Sequence, residues 1–370
     1  MRADHHAPYE RLLADARERF EEADDFTVSV EEEFALLDRE TLDLVNRFED
    51  VQTAAQGTPL APNLVGELIA SEVEVKTGKQ ASFADVPAAL AELGATGTHP
   101  WSSWRDQRII DTPHYRRNDE ILRYVVWRNN TFGIHTHVAV RGADRAVQVT
   151  SALRNWLPEL LAVSASSPFH EGVDTGLHSA RTQVFTRFFP RCGVPDVFRS
   201  WDDYAAYVRF LYETGSIDEV TQLWWSVRPH LLFPTVELRI CDGQPDVAEA
   251  QALTALMVAV TARCARAIDE GEPLPEHPHR LIEENLWRAI RFGLSGELID
   301  LDRGDVVPAR ARLERLVEWV LPVAEEIGAA PWLRIPDQNA AERQIVRRAE
   351  GASFEEIYAE QVGLTVPAGS

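Results

Sequence analysis

Lysine is nearly missing from this chain of 370 residues: of its 37 basic side chains only Lys76 and Lys79 are lysines, and the rest are arginines. The bias is first a matter of codon usage or salt adaptation and names no chemistry. Cysteine is scarce as well. Cys192, Cys241 and Cys264 stand apart, with no CxxC spacing and no fourth partner, which argues against a zinc knuckle or a disulfide framework and suits a reducing cytoplasm. Positive charge as a whole is in deficit. A formal net charge of -22 argues against nonspecific binding to nucleic acid, because a phosphate backbone would be repelled at long range. An acidic substrate would have to meet local arginines. No apolar stretch reads as approaching the roughly 20 residues needed to span a bilayer, and residues 1–25 are charged and helix-like, so neither secretion nor membrane insertion is expected. A Walker A lysine motif and a GxGxxG fingerprint are both missing, so a nucleotide would need a site of another kind.

Hydrophobic residues make up 45% of the chain and aromatics 9%, ample for a packed interior. No internal repeat, low-complexity linker or long Gly/Ser tract marks a boundary, which favours one intertwined domain over 26–370 behind an N-terminal helical extension over 1–25. Periodicity predicts an amphipathic helix over 8–23, and then half-buried strands over 26–37, 68–75, 132–140 and 234–241. Helices are expected over 83–93, 119–127, 147–164 (interrupted near Pro158) and 204–212, and helical spacing dominates from Val247 onward. Residues 165–200 read mostly as loop. Strands early and helices late give an α+β chain.

In a strand, side chains at i and i+2 share a face. Val30-Glu31-Glu32-Glu33-Phe34 therefore pairs Glu31 with Glu33, and Ser71-Glu72-Val73-Glu74-Val75 pairs Glu72 with Glu74. Gly133-Ile134-His135-Thr136-His137-Val138 pairs two imidazoles, and Val236-Glu237-Leu238-Arg239-Ile240 sets a carboxylate beside a guanidinium. The opposite faces are mainly apolar. Two carboxylates ~4 Å apart repel by about 4 kcal/mol at an effective dielectric near 20, so acidic pairs on a sheet face demand solvent, protons or cations. If the four strands share one sheet, a divalent metal is the economical answer: carboxylates suit Mg2+ and an added imidazole suits Mn2+. The bland reading is that each strand has one wet face. HxH also fits zinc, but zinc sites seldom need so many acidic neighbours, whereas a nucleotide site with several divalent ions does.

The same residues carry a family resemblance. Val30 to Phe34 resembles the VEEEF signature of the glutamate-cysteine ligase 2 family of carboxylate-amine ligases. Glu72 to Gly78 resembles its VEVRTG segment, Gly97-Thr98-His99-Pro100 its GTHP turn, and Gly133 to Val138 its GCHVHV strand. Arg228-Pro229-His230 with Thr235 to Asp242 is similar to its RPHP and GTLEVRVCD motifs, and Glu284 to Gly293 to its ENKWRAARYG helix. The match runs from about residue 26 to 360.

The resemblance implies a fold like the catalytic domain of glutamine synthetase, with a curved antiparallel sheet backed by helices and ATP and metals on the concave face. It implies ATP and Mg2+ (or Mn2+) as cofactors, and activation of a carboxylate, glutamate by family default, as an acyl phosphate that an amine such as cysteine then displaces. Carried over position by position, Glu31, Glu33, Glu74, His135 and Glu237 are the metal-facing set. Glu72 is less secure, because that place is often Gln.

Arg239 resembles the phosphate-facing arginine, and the alternative for it is an ion pair with Glu237 or Asp242. Arg181 resembles a loop arginine suited to hold a substrate carboxylate in a bidentate fork, with a solvated loop charge as the alternative. The catalytic set is then Arg239, Glu237 and Arg181. Asn285, Arg288 and Arg291, at i, i+3 and i+6, share a helix edge that could face nucleotide, or could be a surface helix with salt bridges. Trp101, Trp104, Trp224 and Trp225 read as core or pocket wall before any base-stacking role.

The chain departs from the family at Phe233-Pro234-Thr235, where a Gly-Thr pair is usual, and at His230-Leu231, where His-Pro is usual. Both fall beside the expected substrate pocket and leave substrate specificity open. Expected partners are small-molecule amino-acid substrates, neither nucleic acid nor membrane, with a homo-oligomer left open. A phosphotransferase acting on a small carboxylate or guanidino substrate is the alternative, and a fold that binds metal without turnover is a third class.

Overall fold

The computed structural model describes residues 6–83 and 96–365, with side chains from Pro8 onward. The helix expected over 83–93 lies, past Phe83, outside the described residues. Alternation sets the sheet. Strands β1 (Val28–Ala35), β2 (Leu64–Val65), β3 (Glu72–Lys76), β4 (Ile134–Ala139), β5 (Val227–His230) and β6 (Thr235–Leu238) join in one six-stranded sheet ordered β2-β3-β1-β4-β6-β5. Every neighbouring pair is antiparallel. The four strands expected from the sequence are thus the contiguous centre, β3-β1-β4-β6. The edge strands β2 and β5 were not expected; two residues of β2 are too few to show a period, and Pro229 disguises β5.

One face of the sheet carries Val28, Val30, Val75, Ile134, Val138, Val227, Val236 and Leu238, all within the main hydrophobic core. Helices α2 (Ala143–Leu153) and α5 (Val247–Glu270) cover it. Glu32 is an ionisable exception on this face. Burial pushes its carboxyl up to about 8, opposed by a 3.4 Å hydrogen bond from the Gln244 N–H. Helix α5 starts at an Asp246 cap and ends at Gly271 in the left-handed region, φ 67°. By length and composition it could cross a membrane, which corrects the expectation that no stretch is long and apolar enough; here 78% of its apolar window is buried as the central helix of the core.

Helix α1 (His6–Glu21) adds Leu13, Ala16 and Phe20 to the core. The interruption expected near Pro158 lies just before it: a 3-10 turn over Arg154–Trp156 precedes α3 (Leu157–Ser164), whose first turn accepts a proline because that N–H has no helical acceptor. The helix expected over 119–127 divides into Pro113–Leu122 and Tyr124–Trp127 at Arg123, whose φ is 51°.

Residues 165–200 are mostly loop, as expected, but one helix stands among them. They hold α4 (Ala180–Phe188), capped by Ser179, whose hydroxyl accepts the Thr182 N–H at 3.2 Å. Further on, α6 (His279–Phe292) packs on α3 and on a hairpin of β7 (Glu297–Asp300) and β8 (Asp305–Pro308), and α7 (Ala309–Glu326) packs on α5.

Candidate active site

The antiparallel register assembles the polar face. Glu31 stands opposite His135 and Lys76, Glu33 opposite Glu74, and Glu237 opposite both His137 and Arg228. Two groups form in which one ligand atom from each residue lies within 4.8 Å of the others: Glu31, His135 and Glu237, and Glu33, Glu74 and His135. His135 belongs to both. Its Nε2 is buried and meets no hydrogen-bond partner, and its Nδ1 lies 3.4 Å from an Arg239 Nη1. All five residues expected to face metal are therefore brought together.

Electrostatics separates these carboxylates into two kinds. Glu237 is 1% exposed and accepts from Arg228 Nε at 2.7 Å and from Arg239 Nη1. Burial pushes its carboxyl up, but Arg228 and Arg239 outweigh that and hold it well below the usual range. Glu31 behaves likewise: burial is outweighed by His137, 3.6 Å away, and by Lys76, whose Nζ donates at 2.7 Å.

At Glu33 burial wins, with Glu67 adding to it and Arg181 and Arg239 opposing, so its carboxyl is pushed up to about 7. Burial raises Glu74 well above the ordinary value, reinforced by Glu31 and Glu67, although Lys76 Nζ lies 2.9 Å away. Burial together with Arg239 holds the His135 imidazole well below its ordinary value and so neutral, the form that ligates. Six carboxyl groups (Glu31, Glu33, Glu67, Glu72, Glu74, Glu237) share this face with four cations (Lys76, Arg181, Arg228, Arg239), and those that burial raises would ionise beside a divalent ion. The carboxylate-rich donor set with one orphaned imidazole nitrogen fits Mg2+ or Mn2+.

Glu72 lies outside both groups. Neither of its oxygens has a hydrogen-bond partner, and burial, then Glu33, Glu67 and Glu74, raise its carboxyl well above the ordinary value. A carboxyl raised in the folded state stabilises the fold at low pH and takes that stability away as pH rises from its unfolded value toward its folded one. Metal-free Glu72→Gln is therefore expected to lose less stability than metal-free wild type between about pH 5 and about pH 8, and with Mg2+ added its turnover is expected within about threefold of wild type. Urea unfolding midpoints at the two pH values check this; parallel losses in both proteins would count against it.

Arg181 reaches the site from α4, not from a loop. Its guanidinium is buried at the head of β4, donating to the Ile240 carbonyl at 3.3 Å and the Arg239 carbonyl at 3.4 Å, 3.8 Å from Asp242. Gly133 makes room for it: a Cβ there would lie 2.1 Å from its Nη2. Asp242 is held in turn by Ser167 Oγ at 2.6 Å, Ser179 Oγ at 2.9 Å and the Ser166 N–H at 3.0 Å.

Two cavities open on this face. The smaller, about 70 Å3, is polar and lies among Glu33, Glu67, His114, His135, Arg181 and Arg239. The larger, about 470 Å3, lies at the other end, beside Ser29, Glu31, Lys76, His137 and Phe233.

Asn285, Arg288 and Arg291 line neither cavity. Asn285 is buried and spends its amide on both backbone groups of Ile299, at 2.7 and 2.8 Å, tying α6 to β7. Arg288 lies 3.6 Å from Glu284, and Arg291 packs over Phe292. Of the tryptophans, Trp225 is core and Trp224 lines the smaller cavity; Trp101 donates to Asp43, and Trp104 stacks on Trp127. The sequence reading missed Lys76, Arg228 and Glu67. The first two follow an i+2 rule from Glu74 and His230 and were readable; Glu67 lies outside any strand and was not.

A six-stranded antiparallel sheet with helices on one face and a carboxylate–imidazole cluster on the other defines an enzyme of the ATP-dependent carboxylate-amine ligase class. Within that class the chain belongs to glutamate-cysteine ligase family 2, whose model matches residues 27–358. It is 36% identical over 346 residues to a Rubrobacter xylanophilus protein named "Putative glutamate--cysteine ligase 2-2", covering 90% of this chain and 89% of that one. A second protein of that organism, named "Putative glutamate--cysteine ligase 2-3", is 41% identical over 325 residues, covering 84% and 87%. In fold the chain is similar to the crystal structure of a glutamate–cysteine ligase from Francisella tularensis in complex with AMP, with a TM-score of 0.63 at 14% identity, over 93% of this chain and 90% of that one.

Proposed function

We propose that the enzyme activates the carboxylate of an amino acid, glutamate by the family's name, with ATP and joins it to an amine, with cysteine the first candidate. The observation that carries this reading is the pair of Glu/His groups sharing His135, set between two cavities and beside two buried arginines. In this reading the polar face is the concave floor of a curved sheet, and 26–370 act as one catalytic domain behind the N-terminal helix. The enzyme works in the cytoplasm on small molecules.

Glu31, Glu33, Glu74, His135 and Glu237 would hold Mg2+ or Mn2+, which supplies charge neutralisation at the triphosphate. Arg239, fixed by Glu237, faces the charge that builds on the phosphoryl oxygens during transfer. Arg181, immobilised against two backbone carbonyls, presents its remaining N–H groups to the acid in the smaller cavity. A carboxylate oxygen attacks the γ-phosphorus and ADP leaves. The amine nitrogen then bonds to the acyl carbon, the C–O bond to phosphate breaks, and the nitrogen gives up a proton. Holding both reactants over one rigid sheet converts two encounters into steps within one complex.

ADP release measured with each substrate omitted in turn, with product masses, tests this. The expected result is release that needs divalent metal, acid and amine together, and a product lighter than acid plus amine by one water. ADP formed without regard to either substrate would sink the ligase reading, and a stable phosphorylated acid with no amide product would replace it with the phosphotransferase.

A further inference from the structure

The turn joining β5 to β6 holds an aromatic side chain in a position that neither the core nor the metal cluster explains. Phe233 is 54% exposed. One face of its ring stacks on His230, with centroids 4.8 Å apart and planes 12° from parallel. His137 meets both rings edge-on, at 5.2 Å from His230 and 6.3 Å from Phe233. The Phe233 N–H donates to His230 Nδ1 at 3.1 Å, Pro234 follows, and the buried Leu231 anchors the turn below. The ring is thus held in place although much of it faces solvent. An aromatic ring fixed on one side and open on the other, in the wall of a cavity, is placed to stack on a ligand.

We propose that Phe233, backed by His230, is the platform on which the base of the nucleotide substrate stacks, an inference that rests on the ligase reading above. Phe233 lines the larger cavity, whose wall also includes Val28, Ala139 and Pro234. At about 470 Å3 this cavity takes a nucleoside, whereas about 70 Å3 at the other end of the face does not. A fixed aromatic ring with apolar neighbours suits a base, because every base offers a π-face to stack, and the polar groups around it suit a ribose and phosphates.

The cavity also gathers the chain's two lysines, Lys76 and Lys79. Arg19 lines it as well, and Glu22, Asp24 and Glu31 stand in the same wall. Lys76 is held by Glu31 at 2.7 Å and Glu74 at 2.9 Å, and Lys79 lies 3.7 Å from Asp24; beside the platform, a polyphosphate would share these two point charges with the carboxylates, since a lysine follows a phosphate without the fixed fork of a guanidinium. His137 links the platform to the metal cluster, its ring against Phe233 and its Nε2 3.6 Å from Glu31. Because Phe233-Pro234-Thr235 stands where the family usually has a Gly-Thr pair, the platform would be a property of this chain rather than of the family.

The test is calorimetric binding of a nonhydrolysable ATP analogue, with Mg2+, to the full chain, beside inorganic tripolyphosphate, which has no base. Phe233→Ala is expected to weaken the analogue by about tenfold or more while tripolyphosphate affinity stays as in wild type, and Phe233→Trp is expected to restore the analogue. Unchanged thermal melting of both variants separates this from misfolding. Equal analogue affinity in Phe233→Ala and wild type would overturn the platform. So would a rise in the KM of the amine alone, which would make the ring part of the amine site. A wild-type protein that binds neither analogue nor tripolyphosphate would sink the ligase reading itself, and the platform with it.

Discussion

Replacing His135 by alanine is expected to lower metal-dependent ATP turnover by about a thousandfold, the largest loss of any single change on the sheet face. Both groups that could hold a metal among the described residues use this one imidazole, so its removal takes a ligand from each, whereas Glu31 or Glu74 belongs to one alone. Its Nε2 has no protein partner to lose, and burial keeps the ring neutral, so little of the fold depends on it. The variant should therefore remain folded, which a thermal melt checks, while Mn2+ affinity measured by calorimetry falls with activity. Wild-type turnover together with wild-type Mn2+ affinity would remove the basis for a metal site here.

Glu237→Gln acts through charge left behind. The carboxylate is the shared partner of Arg228 and Arg239, and both guanidiniums are buried or nearly so. An amide can accept one hydrogen bond from the pair but neutralises neither charge. Breaking a buried ion pair in this way costs about 3–5 kcal/mol, so a lower urea midpoint near neutral pH is expected along with lost activity. The sign is opposite to that at Glu72. The folded-state carboxyl of Glu237 is held well below its unfolded value, so its contribution is present above the ordinary carboxylate range and lost as pH falls through it. Two carboxylates on one face, changed to the same amide, should thus shift stability at about pH 8 in opposite directions. An unchanged midpoint in Glu237→Gln would mean that the two arginines find other counter-charges.

Much of this site was legible because a strand repeats every two residues. Glu31 with Glu33, Glu72 with Glu74, His135 with His137 and Glu237 with Arg239 could each be assigned to a face before any coordinates, and a single sheet does bring them together. Arg181 was less legible. Its segment reads as loop because α4 has only nine residues and a mixed pattern, so its Ser179 cap carries the signal. At Asn285 the spacing on the helix misled in a different way: i, i+3, i+6 describes an edge, and what that edge meets depends on β7, which forms later in the chain.

Alone, the sequence determined the residue types on each face, the α+β order and the family, since these depend on local alternation and on motifs that lie within a few residues of one another. Tertiary structure decided that Glu33 faces Glu74 across β1 and β3, that His135 serves two clusters, that Glu237 holds two arginines, and that the two lysines share one cavity with Phe233. Those facts depend on the register between strands tens to hundreds of residues apart, where sliding a strand by one residue turns every side chain to the other face. No local pattern carries that information, because register is settled by the whole core packing at once.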